Sequence, residues 1–331
     1  MSLTVIDGSC LQGPHPTGVA VAVHHALTTG QFEVPTTSLL VTYGNTRPDS
    51  PLLASLPFTH RHISLPSKLV HATHLLAGRD LSFWIPQATR LLLPNLNITH
   101  IPRVPYDLCI HDLSFLIHPS WFSTKSRVWH TLVRPKALIR AAERVFTVSE
   151  RSARDIHALT GYPLKRIQFI NLTTIPQPTP TKRLKQPFFL VFGGGDARKN
   201  LDVVIQAFSA LSQRYPTWEL RLLGTTHSPH PNIRALGYVS SEQKTALLQE
   251  AAALLYPSWY EGFGLPLHEA RALGTPCLIS SMSALPETAP VGSIVIPPFM
   301  PHLWREAMQT RIEQYHASSS SSSQNSLPSS V

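Results

Sequence analysis

The sequence predicts an α/β protein of two doubly wound domains, each a parallel sheet with helices on both faces. Three observations lead there. Short, uniformly apolar, β-rich runs alternate with helical patterns along both halves, and strands without a polar face belong to sheets covered on both sides. Residues 173–187, TTIPQPTPTKRLKQP, carry Pro176, Pro178, Pro180 and Pro187; proline lacks the N–H and fixes φ, so neither a helix nor an inner strand continues there. A chain of 331 residues with 43% hydrophobic residues can fill two ordinary cores.

In the first half, an early strand leads to a helix at 17–28. Strands follow at 38–43, 107–111 and 144–148, with helices at 124–142 and 150–160. Pro135 interrupts the first of these. In the second half the strands are 188–193, 219–224, 252–257, 276–280 and 293–297. Helices fall at 201–213 and 241–251, the latter opened by Ser240 and Gln243 at capping-box spacing. Another starts near Pro266, since proline suits a first helical turn. From Ala317 six serines in a row precede QNSLPSSV; such a stretch cannot offset its ordering entropy and reads as disordered. The expected division is an N-terminal domain over 1–172, a linker over 173–187, a C-terminal domain over 188–316 and a tail over 317–331.

Charge is one-sided. Residues 1–186 hold 19 Lys+Arg against 9 Asp+Glu, whereas residues 187–331 hold 9 against 10. The first half therefore suits an anionic partner, or simply a solvated basic surface. No groove-reading or RNA-binding motif accompanies the charge, so nucleic acid is not an expected partner. Cys10, Cys109 and Cys277 are too scattered for a disulfide framework or a cysteine zinc site. No secretory leader and no apolar run long enough for a bilayer is seen, so a cytoplasmic location is expected.

Residues 256–276, YPSWYEGFGLPLHEARALGTP, follow a buried-strand pattern and open a helix. Gly262 and Gly264 let backbone approach a ligand closely, with Phe263 between them and Leu265 after. Free N–H groups at the helix start favour an anion. Glu261 and Glu269, eight residues apart, can each accept from a pair of hydroxyls. Phosphate donors between two diol acceptors suit a nucleotide sugar; the same residues equally suit a glycine-tight turn with Glu269 complementing the helix dipole.

A second constellation, GGGDARKN over 193–200, joins a strand to a helix. Arg198 and Lys199 beside a helix start oppose its dipole unless an anion sits between them. Asn200 is a candidate N-cap. His111 ends a strand, where α/β domains carry reactive groups, and Gly18 lies at the entry of the first helix. The chain has seventeen histidines, so His111 alone also reads as structural. No Gly-rich P-loop, zinc helix or Asp-x-Asp pair is present, so no metal site is expected; the two cations would take a metal's electrostatic role.

Together these motifs resemble the family-4 retaining glycosyltransferases of the GT-B type (glycosyl transferases group 1), over roughly residues 3–298. The resemblance rests on IHDLSFLIHPSWF at 110–122, FTVSERSARDI at 146–156, DARKNLDVVIQAF at 196–208, LGYVSSEQKTALL at 236–248, the 256–276 stretch and SALPE at 283–287. It implies two Rossmann-like domains facing each other across a cleft. It further implies that Glu261 touches the donor sugar and Glu269 the ribose. Gly262, Phe263, Gly264 and Leu265 would hold phosphate and sugar, and Arg198 and Lys199 the diphosphate. His111 would contact the transferred sugar, and Gly18 would belong to the N-terminal glycine loop. Ala20 and Val21 depart from that loop's usual glycine and basic residue, Leu172 replaces a usual glycine after Asn171, and the C-terminal domain reads as shortened.

The function expected from the resemblance is metal-free transfer, with retention, of a hexose, mannose favoured, from a nucleoside diphosphate sugar. GDP-mannose is the favoured donor, no cofactor is needed, and the acceptor is a glycan or lipid-linked, as in polysaccharide or lipopolysaccharide synthesis. The basic N-terminal half would touch an anionic leaflet at the inner face of the plasma membrane. The alternative is a non-catalytic GT-B protein that binds a nucleotide sugar or a partner transferase.

Overall fold

The computed structural model describes residues 2–14, 16–173, 187–228 and 230–324, with side chains in the last helix described as far as residue 317. The chain divides into two compact units, Met1–Ile175 and Pro176–Val331. Most of the proline-rich stretch, including Pro176, Pro178 and Pro180, lies outside the described residues.

The N-terminal unit contains strands β1 (Thr4–Asp7), β2 (Leu39–Tyr43), β3 (Thr59–Ile63), β4 (Arg90–Leu93), β5 (Tyr106–Ile110), β6 (Arg144–Thr147) and β7 (Ile167–Phe169). They form one parallel sheet in the order β3-β2-β1-β4-β5-β6-β7. Strand order reverses beside β1, so the loops after β1 and β4 flank a crevice of the kind that binds ligands in open α/β sheets. Every residue of β1 and β5 is buried, as a sheet covered on both faces requires. β3 reads THRHI and is only partly buried; it is an edge strand, where polar residues are tolerated.

The expected helix over 124–142 is two helices, Thr124–Val133 and Pro135–Ala141. Arg134 breaks them in a left-handed conformation, φ 53° and ψ 51°, because Pro135 disfavours a helical residue before it. Val133, Leu138 and Ile139 turn into the core, which makes the inner face of this segment a packing stripe.

The C-terminal unit contains β8 (Phe188–Phe192), β9 (Glu219–Leu223), β10 (Ile233–Ala235), β11 (Ala253–Tyr256), β12 (Cys277–Ser280) and β13 (Ile294–Ile296). They form a six-stranded parallel sheet ordered β10-β9-β8-β11-β12-β13. The reversal lies between β8 and β11, so the loops after these two strands share one crevice. The helix Ser241–Glu250 starts with the full capping box: Ser240 Oγ accepts from Gln243 N and Gln243 Oε1 from Ser240 N.

The last helix, Pro301–Gln324, packs on the helix Leu201–Ser212. Trp304, Met308 and Ile312, all fully buried, enter the core beside Phe208 and Trp218. Their spacing repeats on one helix face. The helix also runs through 317–324, where a disordered stretch was expected. A helix already nucleated extends at one hydrogen bond per residue, without a second nucleation cost. Residues 325–331 lie outside the described residues.

Candidate active site

Two loops of the C-terminal unit build the site. The first leaves β8 through Gly193, Gly194 and Gly195 and ends in a single turn, Ala197–Lys199. Glycine is required at 194: a Cβ there would lie 1.9 Å from the Gly224 carbonyl oxygen. The close pass of this loop over the residue after β9 narrows a cleft of about 350 Å³. Gly193, Gly194, Asp196, Lys199, Gly224, Tyr238 and Lys244 are among its lining residues.

Asp196 caps its own turn. Its Oδ1 accepts from Arg198 N at 3.0 Å, and Arg198 Nη2 reaches its Oδ2 at 2.8 Å. Burial raises the Asp196 pKa, but the bonds and charge of Arg198 outweigh burial and leave it lowered. Asp196 therefore holds the Arg198 guanidinium along the loop. The Arg198 carbonyl accepts from Trp259 N at 2.7 Å, tying this loop to the one after β11.

Lys199 makes the second tie. Its Nζ donates to Glu261 Oε1 at 2.6 Å and stands 3.4 Å from the Tyr256 hydroxyl. Burial works against the ammonium, but Tyr256 and Glu261 outweigh it and hold the Lys199 pKa above its ordinary value. The lysine is a fixed positive charge. Asn200 does not cap with its side chain, contrary to expectation. Its φ is 51° and its amide donates to the carbonyls of Pro257 and Pro298 at 3.1 and 2.8 Å. Left-handed backbone suits asparagine better than most residues, and here it stitches three loops.

The second loop carries Glu261, Gly262, Phe263 and Gly264 into the helix Leu265–Ala272. Ser283 holds both ends of the Glu261 peptide: its Oγ accepts from Glu261 N at 3.1 Å and donates to Glu261 O at 2.7 Å. The Phe263 carbonyl accepts from Thr288 Oγ1. Gly264 has φ 98°, and a Cβ there would meet Leu285 Cδ2 at 3.2 Å, so a side chain would be strained and crowded. At the helix start after Gly264, Pro266 has no N–H and Leu267 N donates to Gly264 O at 2.9 Å, so the Leu265 N–H is the candidate donor to an anion. Glu269 lies within that helix, and Lys244 Nζ sits 2.8 and 2.7 Å from its two carboxylate oxygens.

Of the predicted residues, Arg198, Lys199, Glu261, Gly262, Phe263, Gly264, Leu265 and Glu269 all belong to this unit. Gly18 and His111 belong to the N-terminal one. Gly18 is the first residue of the helix Gly18–Thr28, capped by Thr17. His111 directly follows β5. Its Nε2 is 3.0 Å from the Pro94 carbonyl; a carbonyl only accepts, so Nε2 carries the proton and Nδ1 the lone pair. Burial lowers the His111 pKa, which keeps the ring neutral at pH 7. Asp196, Lys244, Tyr256 and Ser283 complete the arrangement and were not expected. Asp196 stands inside the GGGDARKN motif, Lys244 inside LGYVSSEQKTALL, Tyr256 opens the 256–276 stretch and Ser283 opens SALPE, so their places were visible; their side-chain contacts were not.

Residues 176–320 match the family described as glycosyl transferases group 1. The O-antigen chain mannosyltransferase B of Escherichia coli is 31% identical over 218 residues, covering 57% of this chain and 56% of that protein. The chain spans about half the length of the curated relatives it matches. WaaG, a glycosyltransferase involved in lipopolysaccharide biosynthesis, superposes with a TM-score of 0.64 at 14% identity, over 94% of this chain and 91% of that one. Anabaena HepE, solved in complex with UDP-glucose, gives 0.62 at 15%, over 96% and 91%. The fold is GT-B. Residues 176–320 are similar to the glycosyl transferases group 1 family, and the chain's sequence resembles that of an O-antigen mannosyltransferase.

Proposed function

We propose that this protein transfers a hexose, mannose favoured, from a nucleoside diphosphate sugar to a glycan or lipid-linked acceptor, with retention and without a metal. GDP-mannose is the favoured donor. The observation that carries the reading is the Lys199–Glu261 pair of 2.6 Å in the crevice between β8 and β11. It sets a fixed cation beside a carboxylate, at a glycine-walled cleft and next to a helix start.

In this reading the diphosphate lies against Lys199, Arg198 and the Leu265 N–H after Gly264. The sugar hydroxyls reach Glu261 and the ribose hydroxyls Glu269. In the transfer the bond from anomeric carbon to phosphate oxygen breaks and its electron pair leaves with the diphosphate. The acceptor oxygen bonds to the same face of the carbon, and its proton passes to the departing phosphate. Lys199 and Arg198 stabilise the charge that develops there, the electrostatic role a metal plays elsewhere. His111, neutral and with Nδ1 as acceptor, suits a hydroxyl of the transferred sugar. Support for mannose comes from the sequence likeness to the O-antigen mannosyltransferase; support for a nucleotide-sugar donor comes from the likeness in fold to a protein solved with UDP-glucose.

The test is incubation with GDP-mannose and other nucleoside diphosphate hexoses, in chelator, with the product anomer read by NMR. An α-configured donor giving an α-linked product meets the proposal. An inverted product, or a strict need for divalent metal, overturns the mechanism. Tight nucleotide binding with no transfer to any acceptor supplied, and no donor hydrolysis, favours the non-catalytic reading.

A further inference from the structure

Ser283 lies between β12 and the short helix Leu285–Thr288. Its backbone is left-handed, φ 60°. A Cβ crowds the backbone in that region, so a turn alone would favour glycine or asparagine. No proline follows to impose the conformation, since residue 284 is alanine.

What serine supplies there is a hydroxyl, which both donates and accepts. Its Oγ accepts from Glu261 N at 3.1 Å and donates to Glu261 O at 2.7 Å. Among the described residues no backbone group bonds either Glu261 atom. One atom thus holds the Glu261 backbone on both sides of its Cα. That restricts φ and ψ, and with them the direction of the Cα–Cβ bond. The carboxylate carried by that bond is mostly buried and meets Lys199 Nζ at 2.6 Å.

The following residues of the loop are held from the same segment but by other side chains. Leu285, fully buried, stands against the Cβ position of Gly264. Thr288 Oγ1 donates to Phe263 O. The Phe263 ring stacks on His268 with centroids 4.8 Å apart. These contacts place residues 263 and 264 whether or not residue 283 carries a hydroxyl, so loss of that hydroxyl acts on Glu261 in particular.

We propose that Ser283 is a positioning residue for sugar transfer: its hydroxyl orients Glu261 toward Lys199 and the donor sugar, and the strained backbone at 283 is kept for that purpose. The part played by the sugar rests on the proposed function; the clamp on Glu261 stands on geometry alone. Misplacing a positioned group by about 1 Å can cost about 100-fold in rate.

The test compares Ser283→Gly and Ser283→Thr with the wild type. Glycine relieves the backbone and deletes the hydroxyl. Threonine keeps the hydroxyl and adds strain, because a β-branched residue is poorly tolerated at positive φ. Ser283→Gly should lower kcat for GDP-mannose turnover at least tenfold while GDP affinity stays within twofold. Ser283→Thr should keep kcat within threefold although it melts at a lower temperature than the wild type. Activity then follows the hydroxyl rather than stability. A glycine variant with wild-type kcat, or a threonine variant as inactive as the glycine one, overturns the proposal. Amide hydrogen exchange read by NMR needs no donor and no threonine variant. The Glu261 amide should exchange at least tenfold faster in Ser283→Gly than in the wild type, while the Leu267 amide, bonded to Gly264 O, stays unchanged. Equal exchange at Glu261 overturns the clamp. A wild type that turns over no nucleoside diphosphate sugar counts against the proposed function, and the exchange comparison then decides on Ser283.

Discussion

Lys199 and Glu261 are joined by a 2.6 Å ion pair, although 62 residues separate them in the chain. The pair clamps the loop after β8 to the loop after β11, and both its side chains are mostly buried. Removing either partner strands a charge. Lys199→Ala should cost about 1.5–3 kcal/mol of stability, the range for a hydrogen bond to a charged group. It should lower transfer by about 100-fold or more, as for loss of one electrostatic donor at a reacting centre. Urea unfolding and initial rates check both. Lys199→Arg should restore little, because a planar guanidinium cannot replace a compact ammonium between Tyr256 and Glu261.

Lys244 and Glu269 form the second pair, more exposed than the first. A double-mutant cycle on the two should give a coupling of about 0.5–1 kcal/mol, near the upper range for exposed pairs. Glu269→Ala should also remove the thermal stabilisation that a nucleoside diphosphate confers on the wild type. Full retention of that shift would show that the carboxylate does not hold the ribose.

Gly194 tolerates no side chain. A methyl 1.9 Å from the Gly224 carbonyl forces backbone apart, so Gly194→Ala should cost about 3 kcal/mol or more and abolish nucleotide binding. Gly195 has open space around its Cβ position, and serves as the neighbouring control, with only its positive φ of 65° to strain an alanine.

Acid should destabilise the N-terminal unit. Burial lowers the pKa of His111 and also of His24 and His71. In the unfolded chain these rings return to about 6.5, so the unfolded state binds more protons below that pH. Unfolding free energy should therefore fall as pH drops below 6.5, and His111→Gln should make the slope shallower. An unchanged slope would contradict a buried, neutral His111.

Trp304 is fully buried in the core that Phe208 and Trp218 share. Trp304→Ala should destabilise the C-terminal unit by about 3–5 kcal/mol, measured by chemical unfolding.

Much of this is legible in the sequence. The runs FFLVF and ALLY are apolar at every position and became inner strands. The capping box at Ser240 named its own helix start. β10, three residues reading IRA, and β3, reading THRHI, were not legible; both are edge strands, where pairing with one neighbour replaces a continuous apolar pattern. Charged residues in motifs were visible at 198, 199, 261 and 269. Their partners were only partly so, because Lys244 sits on a mostly polar helix and Tyr256 ends an ordinary strand. What brings them together is the strand order β9-β8-β11, which no local pattern encodes.

The central claim is a metal-free nucleoside diphosphate site centred on Lys199 and Glu261. Calorimetric titration of GDP and UDP into wild type and Lys199→Ala, in the presence of chelator, tests it most directly. The account predicts saturable binding of at least one nucleotide by the wild type and at least tenfold weaker binding by Lys199→Ala. No binding of either nucleotide at millimolar concentration, or equal affinity in the folded variant, would contradict it.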